Sequence, residues 1–393
     1  MDPIAPIAER LARAVDRRRL VETAIRLIEV PSPTGEGGAA ADRLAELLAA
    51  DGFAVDRPEA DHPTAPAVVA RLRGARPGRT IQFNGHLDVV HLPFVPPRVE
   101  GDLLRGSGSC DMKGGLAAAV EAFRALRDAG VLSGGSVLLT AHDLHEAPWG
   151  DGRQLDRLIT DGVRGDAVLI PEPISDRIPV VGRGQGWWKA TIRRSGPPIH
   201  EVMRPLDEPS VLAAGAELIA RLGRLDTQLR ETADPLAGPA SAFIGQFHGG
   251  EIYNSYPHDC WLEGTRRWLP GTSRHDVERD LRGLVADLER DTGTTIDLKF
   301  RVVRDAFALD RNDPLVSSFQ RAHEVVTGHP LPIGPKPFVD DGNSFCALGR
   351  MAAISHGPKS GGQHTVEEWA SIDDLVRLAT LYALTAVLYC GAE

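Results

Sequence analysis

The sequence predicts an α/β fold, a mostly parallel sheet flanked by helices and interrupted by a smaller inserted α+β block. Three observations lead there. Short apolar runs at 80–83, 136–140 and 167–170 are interleaved with segments of helical period, the pattern of a sheet covered by helices. Each run opens into a polar loop carrying His, Asp or Glu, and in open α/β sheets ligands gather at the carboxyl ends of strands. From about residue 186 the order changes to β–α–β–β–α–β, which folds as one compact sheet with helices on one side.

Taken in order, residues 19–29 form a helix with Leu20, Ala24, Ile25, Leu27 and Ile28 on one face, stopped by Pro31-Ser32-Pro33-Thr34-Gly35. A second helix, 39–50, closes at Asp51-Gly52. Residues 68–72 and 80–83 read as neighbouring strands joined by a Gly- and Arg-rich turn. A long helix follows over 114–129, ending at Gly130, and then strands at 136–140 and 167–170. In the inserted block, strands are expected at 187–193, 251–256, 260–268 and 295–303. Its helices are expected at 210–222 and 273–290, the second capped by Thr272 or Ser273. Helices at 314–327 and 372–388 complete the chain, with a Gly- and His-rich loop between them. The implied domains are 1–185 and 304–393 together, with 186–303 inserted.

Bulk properties exclude some functions. With 54 acidic against 44 basic residues the net charge is -10, so nucleic acid is not expected as a partner, because phosphate binding requires a basic face. No apolar stretch reaches the roughly 18–20 residues that span a bilayer, so no membrane partner is expected. The first twenty residues lack the apolar core of a secretory leader. Cys110, Cys260, Cys346 and Cys390 are scattered, which suits neither a disulfide framework nor a paired-cysteine metal site. A cytoplasmic location is expected.

The chemistry begins at Asn84-Gly85-His86-Leu87-Asp88 and at Gly106-Ser107-Gly108-Ser109-Cys110-Asp111-Met112-Lys113-Gly114-Gly115. An imidazole and a carboxylate delivered by two strand-end loops are the start of a site for zinc, manganese or cobalt. Singly, His86 reads as a buried hydrogen-bonding histidine, and Asp88 or Asp111 as a helix cap. Jointly they do not, because His142-Asp143-Leu144-His145-Glu146, Pro171-Glu172-Pro173, His356 and His364 recur in further loops.

Those segments, with Gly361-Gly362-Gln363-His364-Thr365, occur in the order and spacing of the M20 metallopeptidase family, which the chain resembles over almost its whole length. The family includes acetylornithine deacetylase, succinyl-diaminopimelate desuccinylase and glutamate carboxypeptidase-like enzymes. The resemblance implies a phosphorylase/hydrolase-like catalytic domain and a ferredoxin-like inserted dimerisation domain. It also implies two divalent metals, Zn2+ with Co2+ or Mn2+ as alternatives, and a homodimer. Carried over by motif, His86, Asp111, Glu146, Glu172 and His364 are metal ligands, Asp111 bridging, and Asp88 orients His86. Gly114 and Gly115 give a tight turn beside the bridge.

One feature departs from the family pattern, which has two adjacent Glu, a general base and then a ligand. Here His145-Glu146 stands in that place. Three readings stay open. His145 is the base; or Glu146 is the base with Asp143 or a His as ligand; or hydrolysis is lost and the protein binds metal and ligand without cleaving. In the inserted block His200 resembles the partner-subunit histidine that stabilises an oxyanion, and Asn254 matches the family's Asn near a proline. Arg267 resembles the arginine that grips a substrate carboxylate, with Arg266 as the alternative on the opposite strand face. Asp340-Asp341-Gly342-Asn343-Ser344 reads as an acidic loop lining the site, and Trp187-Trp188 as packing where the domains join. The function expected is hydrolysis of the amide of a small N-acyl amino acid or dipeptide bearing a free carboxylate.

Overall fold

The computed structural model describes residues 4–391. These fall into two compact units: Met1–Val180, Leu309–Gly334 and Asp340–Glu393 in the first, Val181–Ala308 and Pro335–Val339 in the second.

The sheet of the first unit runs Val55–Asp56, Val68–Arg73, Ser136–His142, Thr80–His86, Ala167–Ile170, Ala352–Ser355. The last four strands are parallel and the first two antiparallel. Residues 68–72 and 80–83 are therefore not neighbours, because Ser136–His142 lies between them. The cause is burial. Ser136–His142 is buried from its second residue to its last, whereas Val68–Arg73 ends in a half-exposed alternation. A strand apolar on both faces takes a central position, and a half-exposed one goes outward.

Lys113–Ala129 and Ile372–Gly391 pack on the strand Thr80–His86. Lys113–Ala129 is almost wholly buried and stops at Gly130 in the left-handed conformation, φ 59°. It packs against Ile372–Gly391 and Arg17–Ile28. Asp16 caps the last of these by accepting from the Arg19 N–H at 3.0 Å. Glu121, buried in the middle of Lys113–Ala129, is answered by Arg19 at 2.7 and 2.9 Å and by the Asp16 N–H at 2.8 Å, so no bare charge is left inside. Among the described residues one helix, Ile372–Gly391, has the length and apolarity of a membrane span, and 72% of that window is buried inside the protein as core. The helix Ala5–Ala14 was not anticipated from the sequence.

Phe83 lies on the strand that leads to the site, fully buried with its ring 5.3 Å from Tyr382. Phe83→Ala is expected to lower unfolding stability by about 3–5 kcal/mol, read as a lower denaturant midpoint.

The second unit is a β–α–β–β–α–β block with the antiparallel order Ser241–Gly249, Asp259–Trp268, Gly184–Arg193, Thr295–Arg304. Helices Val211–Glu231 and Arg274–Thr292 supply Leu218, Leu222, Leu281 and Leu288 to a core that also takes Trp188, Ile192 and Leu262. Ser273 is the cap of the second helix. The strand expected at 251–256 is instead Ser241–Gly249, and only Ser255–Tyr256 remains extended, paired with Ile199–His200. Ser241–Gly249 is an edge strand with a bulge between Ile244 and Gln246 and one fully buried residue, Ala242. Its sequence therefore lacks a clean apolar alternation.

Candidate metal centre

Parallel register brings the first donors together. His86 pairs with His142 at the last rung of their two strands, and Ala167–Ile170, on the other side of Thr80–His86, runs directly into Pro171-Glu172. A string of hydrogen bonds fixes this end of the sheet: Gln82 to Thr140, Thr140 to Asn84 and Asn84 to Asp341, at 2.7–2.8 Å. Asp111 comes from the loop before Lys113–Ala129. That loop is held by Glu368, whose carboxylate accepts the N–H groups of Cys110 at 3.2 Å and Asp111 at 3.4 Å. Gly114 and Gly115 are helical, with no positive φ, so the expected tight turn is not their role. A Cβ on Gly115 would lie 2.3 Å from the Pro171 carbonyl, so its bareness lets the helix start against the Glu172 loop.

Asp111 stands between two imidazoles, Oδ1 3.1 Å from His86 Nε2 and Oδ2 3.3 Å from His364 Nε2. His364 also lies 3.2 Å from Glu146 Oε2, and Glu172 Oε1 lies 3.7 Å from His86 Nε2. Two donors on one ion at about 2.1 Å and tetrahedral angles sit about 3.4 Å apart, so this spacing suits metal ligation. His86, Asp111 and Glu146 form one possible donor group, and His86, His145 and Glu172 another.

The charges fit a cation as well. Buried Glu172 Oε1 has no hydrogen-bond partner. Burial, with the Asp111 charge, pushes the Glu172 carboxyl well above its usual range and Glu146 upward. Asp111 and Glu146 raise His364 to about 10. Burial opposes protonation of His86, yet Asp111, Asp88 and Glu172 carry it well above its ordinary value. Glu146 and Glu172 are drawn to the neutral form and the imidazoles to the charged form, while His364 and His86 keep Asp111 ionised between them, which marks an anionic cluster that calls for positive charge. A divalent ion reverses both tendencies.

The remaining candidates separate by what they touch. His86 Nδ1 lies 2.9 Å from the Asp88 carbonyl, while the Asp88 carboxylate accepts the His145 and Glu146 N–H groups at 3.0 Å. Asp88 thus holds His86 through its backbone and the His145-Glu146 loop through its side chain. Asp143 is committed elsewhere: it accepts from Gly35 and Gly37 at 3.0 and 2.8 Å and faces His62 at 3.0 Å. With both oxygens so engaged, it takes a structural role in place of the open reading as a ligand. His356 is a buried histidine against Phe319, pushed down to about 4 by burial.

His145 stacks on His86 with ring centroids 3.9 Å apart and planes 7° from parallel. Its Nδ1 is 2.8 Å from Asp341 Oδ1 and its Nε2 is 3.6 Å from Glu172 Oε1. Asp341 belongs to the acidic loop flagged in the sequence, but its bonds to two histidines were not foreseen. Glu368 was missed, since nothing in the sequence sets it apart from its exposed neighbour Glu367.

The second unit holds His200, Asn254 and Arg267. His200 Nε2 and Asn254 Nδ2 are 3.2 Å apart. Arg266 is buried and donates to the Ser241 carbonyl at 3.1 Å, so it is occupied by structure. Arg267 points to the other face, where burial and the charge of Arg183 depress its pKa.

A sequence model described as Peptidase family M20/M25/M40 matches residues 82–387. The succinyl-diaminopimelate desuccinylase of Methylobacterium nodulans is 30% identical over 389 residues, 91% of this chain and 92% of that protein. Aminopeptidase PepT from Bacillus cereus superposes with a TM-score of 0.80 at 20% identity, covering 95% of this chain and 99% of the other. A dinuclear metal binding peptidase from Bacillus subtilis gives 0.71 at 15% identity, covering 96% and 99%.

Proposed function

The chain belongs to peptidase family M20/M25/M40, and on that footing we propose that it is a metal-dependent hydrolase cleaving the amide of a small N-acyl amino acid or dipeptide. The observation that carries this reading is the convergence of His86, Asp111, Glu146, Glu172 and His364, with His145 Nε2 beside them.

His86, Asp111, Glu146, Glu172 and His364 would hold the divalent metal. Zn2+ is the first choice, and Co2+ or Mn2+ suit the same donors. When bound, the metal would supply Lewis-acid chemistry at the scissile carbonyl and at water. The protein's own groups do the rest. His145 Nε2 takes one proton from the attacking water and passes it to the leaving nitrogen. The Asp88 carboxylate, by gripping the N–H groups of His145 and Glu146, keeps that base and its neighbouring ligand in fixed relation.

Arg267 is assigned to the substrate carboxylate, since its guanidinium has no carboxylate partner among the described residues while Arg266 is held by backbone. His200, with Asn254 beside it, is assigned as oxyanion donor to the partner subunit of a homodimer. The M. nodulans relative is named a desuccinylase, which supports an acylated amino acid as the substrate class. A cytoplasmic location belongs to the same proposal.

Purified protein is tested against a panel of N-acyl amino acids and dipeptides with Zn2+, Co2+ or Mn2+. Amine release from at least one member is expected, abolished by a chelator and restored by metal. Ligand binding without turnover under every metal overturns this reading in favour of a non-hydrolytic protein.

A further inference from the structure

We infer that Asp341 is a positioning residue that fixes the tautomer of His145, with His142 as its buried counter-charge.

Asp341 is fully buried at the start of the short helix Asp341–Ala347, and its two oxygens are divided between two histidines. Oδ1 is 2.8 Å from His145 Nδ1, and Oδ2 is 2.8 Å from His142 Nε2. Oδ2 also accepts from Asn84 Nδ2 at 2.8 Å, so Asn84 fixes the angle of the carboxylate from the sheet side.

His142 is fully enclosed and meets an acceptor at each ring nitrogen. Nε2 faces Asp341, and Nδ1 is 3.0 Å from the Asp143 carbonyl. A carbonyl oxygen cannot donate and an ionised carboxylate does not, so both ring nitrogens carry hydrogen and His142 is an imidazolium. The Asp88 charge also favours that form. The pair His142–Asp341 is therefore neutral as a whole.

His145 differs from His142 in one respect. Its Nδ1 meets Asp341, but its Nε2 has no hydrogen-bond partner and lies 3.6 Å from Glu172 Oε1. Asp341 can accept only from an N–H, so the proton sits on Nδ1 and the lone pair on Nε2, toward the metal donors. Without Asp341 either nitrogen can carry the proton, and one of the two tautomers is useless as a base.

The second histidine explains how the carboxylate is tolerated. Asp111, Glu146 and Glu172 already load this end of the sheet with negative charge. A lone buried carboxylate would add to it with no counter-charge of its own. With His142 supplying the counter-charge, Asp341 orients His145 and leaves Nε2 free.

The inference rests on the reading of His145 as proton acceptor, and the experiment separates the two. Zinc-loaded wild type, His145→Ala, Asp341→Asn, His145→Glu and the double variant are compared for kcat, KM and bound metal. The tautomer of His145 is read from its ring nitrogen NMR shifts. Wild type is expected to show the Nδ1–H form. Asp341→Asn is expected to lose at least about tenfold in kcat, with KM and metal content unchanged and the tautomer signal mixed. In the His145→Glu background the same change is expected to cost nothing further, because Glu has no N–H to give Asp341. An Nε2–H tautomer in wild type overturns the inference even if Asp341→Asn does not fold. Unchanged kcat in Asp341→Asn with His145→Ala impaired overturns it while leaving His145 as base. Full activity in His145→Ala overturns the base reading itself.

Discussion

Asp111→Asn is expected to strip the centre of metal and of activity while leaving the fold intact. Among the described residues Asp111 is the one carboxylate within 3.3 Å of both His86 and His364, which is why it is proposed as the shared ligand. Losing a group that merely orients a ligand costs about 10–100-fold in metal affinity, so losing the shared ligand is expected to exceed about 100-fold. Without metal the charge still supports the fold: burial opposes ionisation, yet His364 and His86 hold the Asp111 carboxyl below its usual range, even though Asp111 in turn raises Glu146 and Glu172. Metal-free Asp111→Asn is therefore expected to melt below metal-free wild type. Added metal at about 100 times Kd stabilises wild type by about 2.7 kcal/mol through binding linkage, and the variant by much less. Elemental analysis and thermal melts with and without metal check both expectations. A variant that keeps two equivalents of metal removes Asp111 from the bridging position.

Why some of the site is legible in the sequence and some is not follows from these residues. His86, Asp111, Glu146, Glu172 and His364 stand in motifs because local geometry is most of their role. His86 ends a strand, Glu172 and Glu146 follow strands, and Asp111 and His364 lie in glycine-rich loops, and such segments carry their own sequence signatures. Asp143 looked like a ligand because it lies among them in the chain. Its side chain turns to Gly35, Gly37 and His62, contacts that only tertiary structure reveals. His356 misled in the same way, since it is buried against Phe319 and His323. Asp341 joins His142 and His145 across nearly two hundred positions, and no periodicity encodes that. The fold shows the same division. Ser136–His142, with its apolar run Val137-Leu138-Leu139, was plain as a strand, although its central position between two others was not. The edge strand Ser241–Gly249 was missed because it buries too little to mark its sequence.

His145→Gln is expected to lower kcat by about 10²- to 10⁴-fold, the contribution of a positioned base, while metal content and KM stay near wild type. Gln keeps the volume of the ring's inner part and can still reach Asp341, but it cannot accept a proton. The prediction separates two uses of the same nitrogen. His145 Nε2 also belongs to a possible donor group with His86 and Glu172, so on distance alone it could bind an ion instead. A ligand and a base fail differently. If His145 ligates, its loss lowers bound metal in step with activity, and excess metal restores part of the rate. If it is the base, metal stays bound and excess metal does nothing. The stacking against His86 favours the base. With planes 7° from parallel and centroids 3.9 Å apart, the two in-plane lone pairs do not converge well on one ion between the rings. His145→Glu places a carboxylate where the family pattern has one, and it is expected to recover more activity than Gln. Equal activity of the Glu and Gln variants would show that no proton passes through this position.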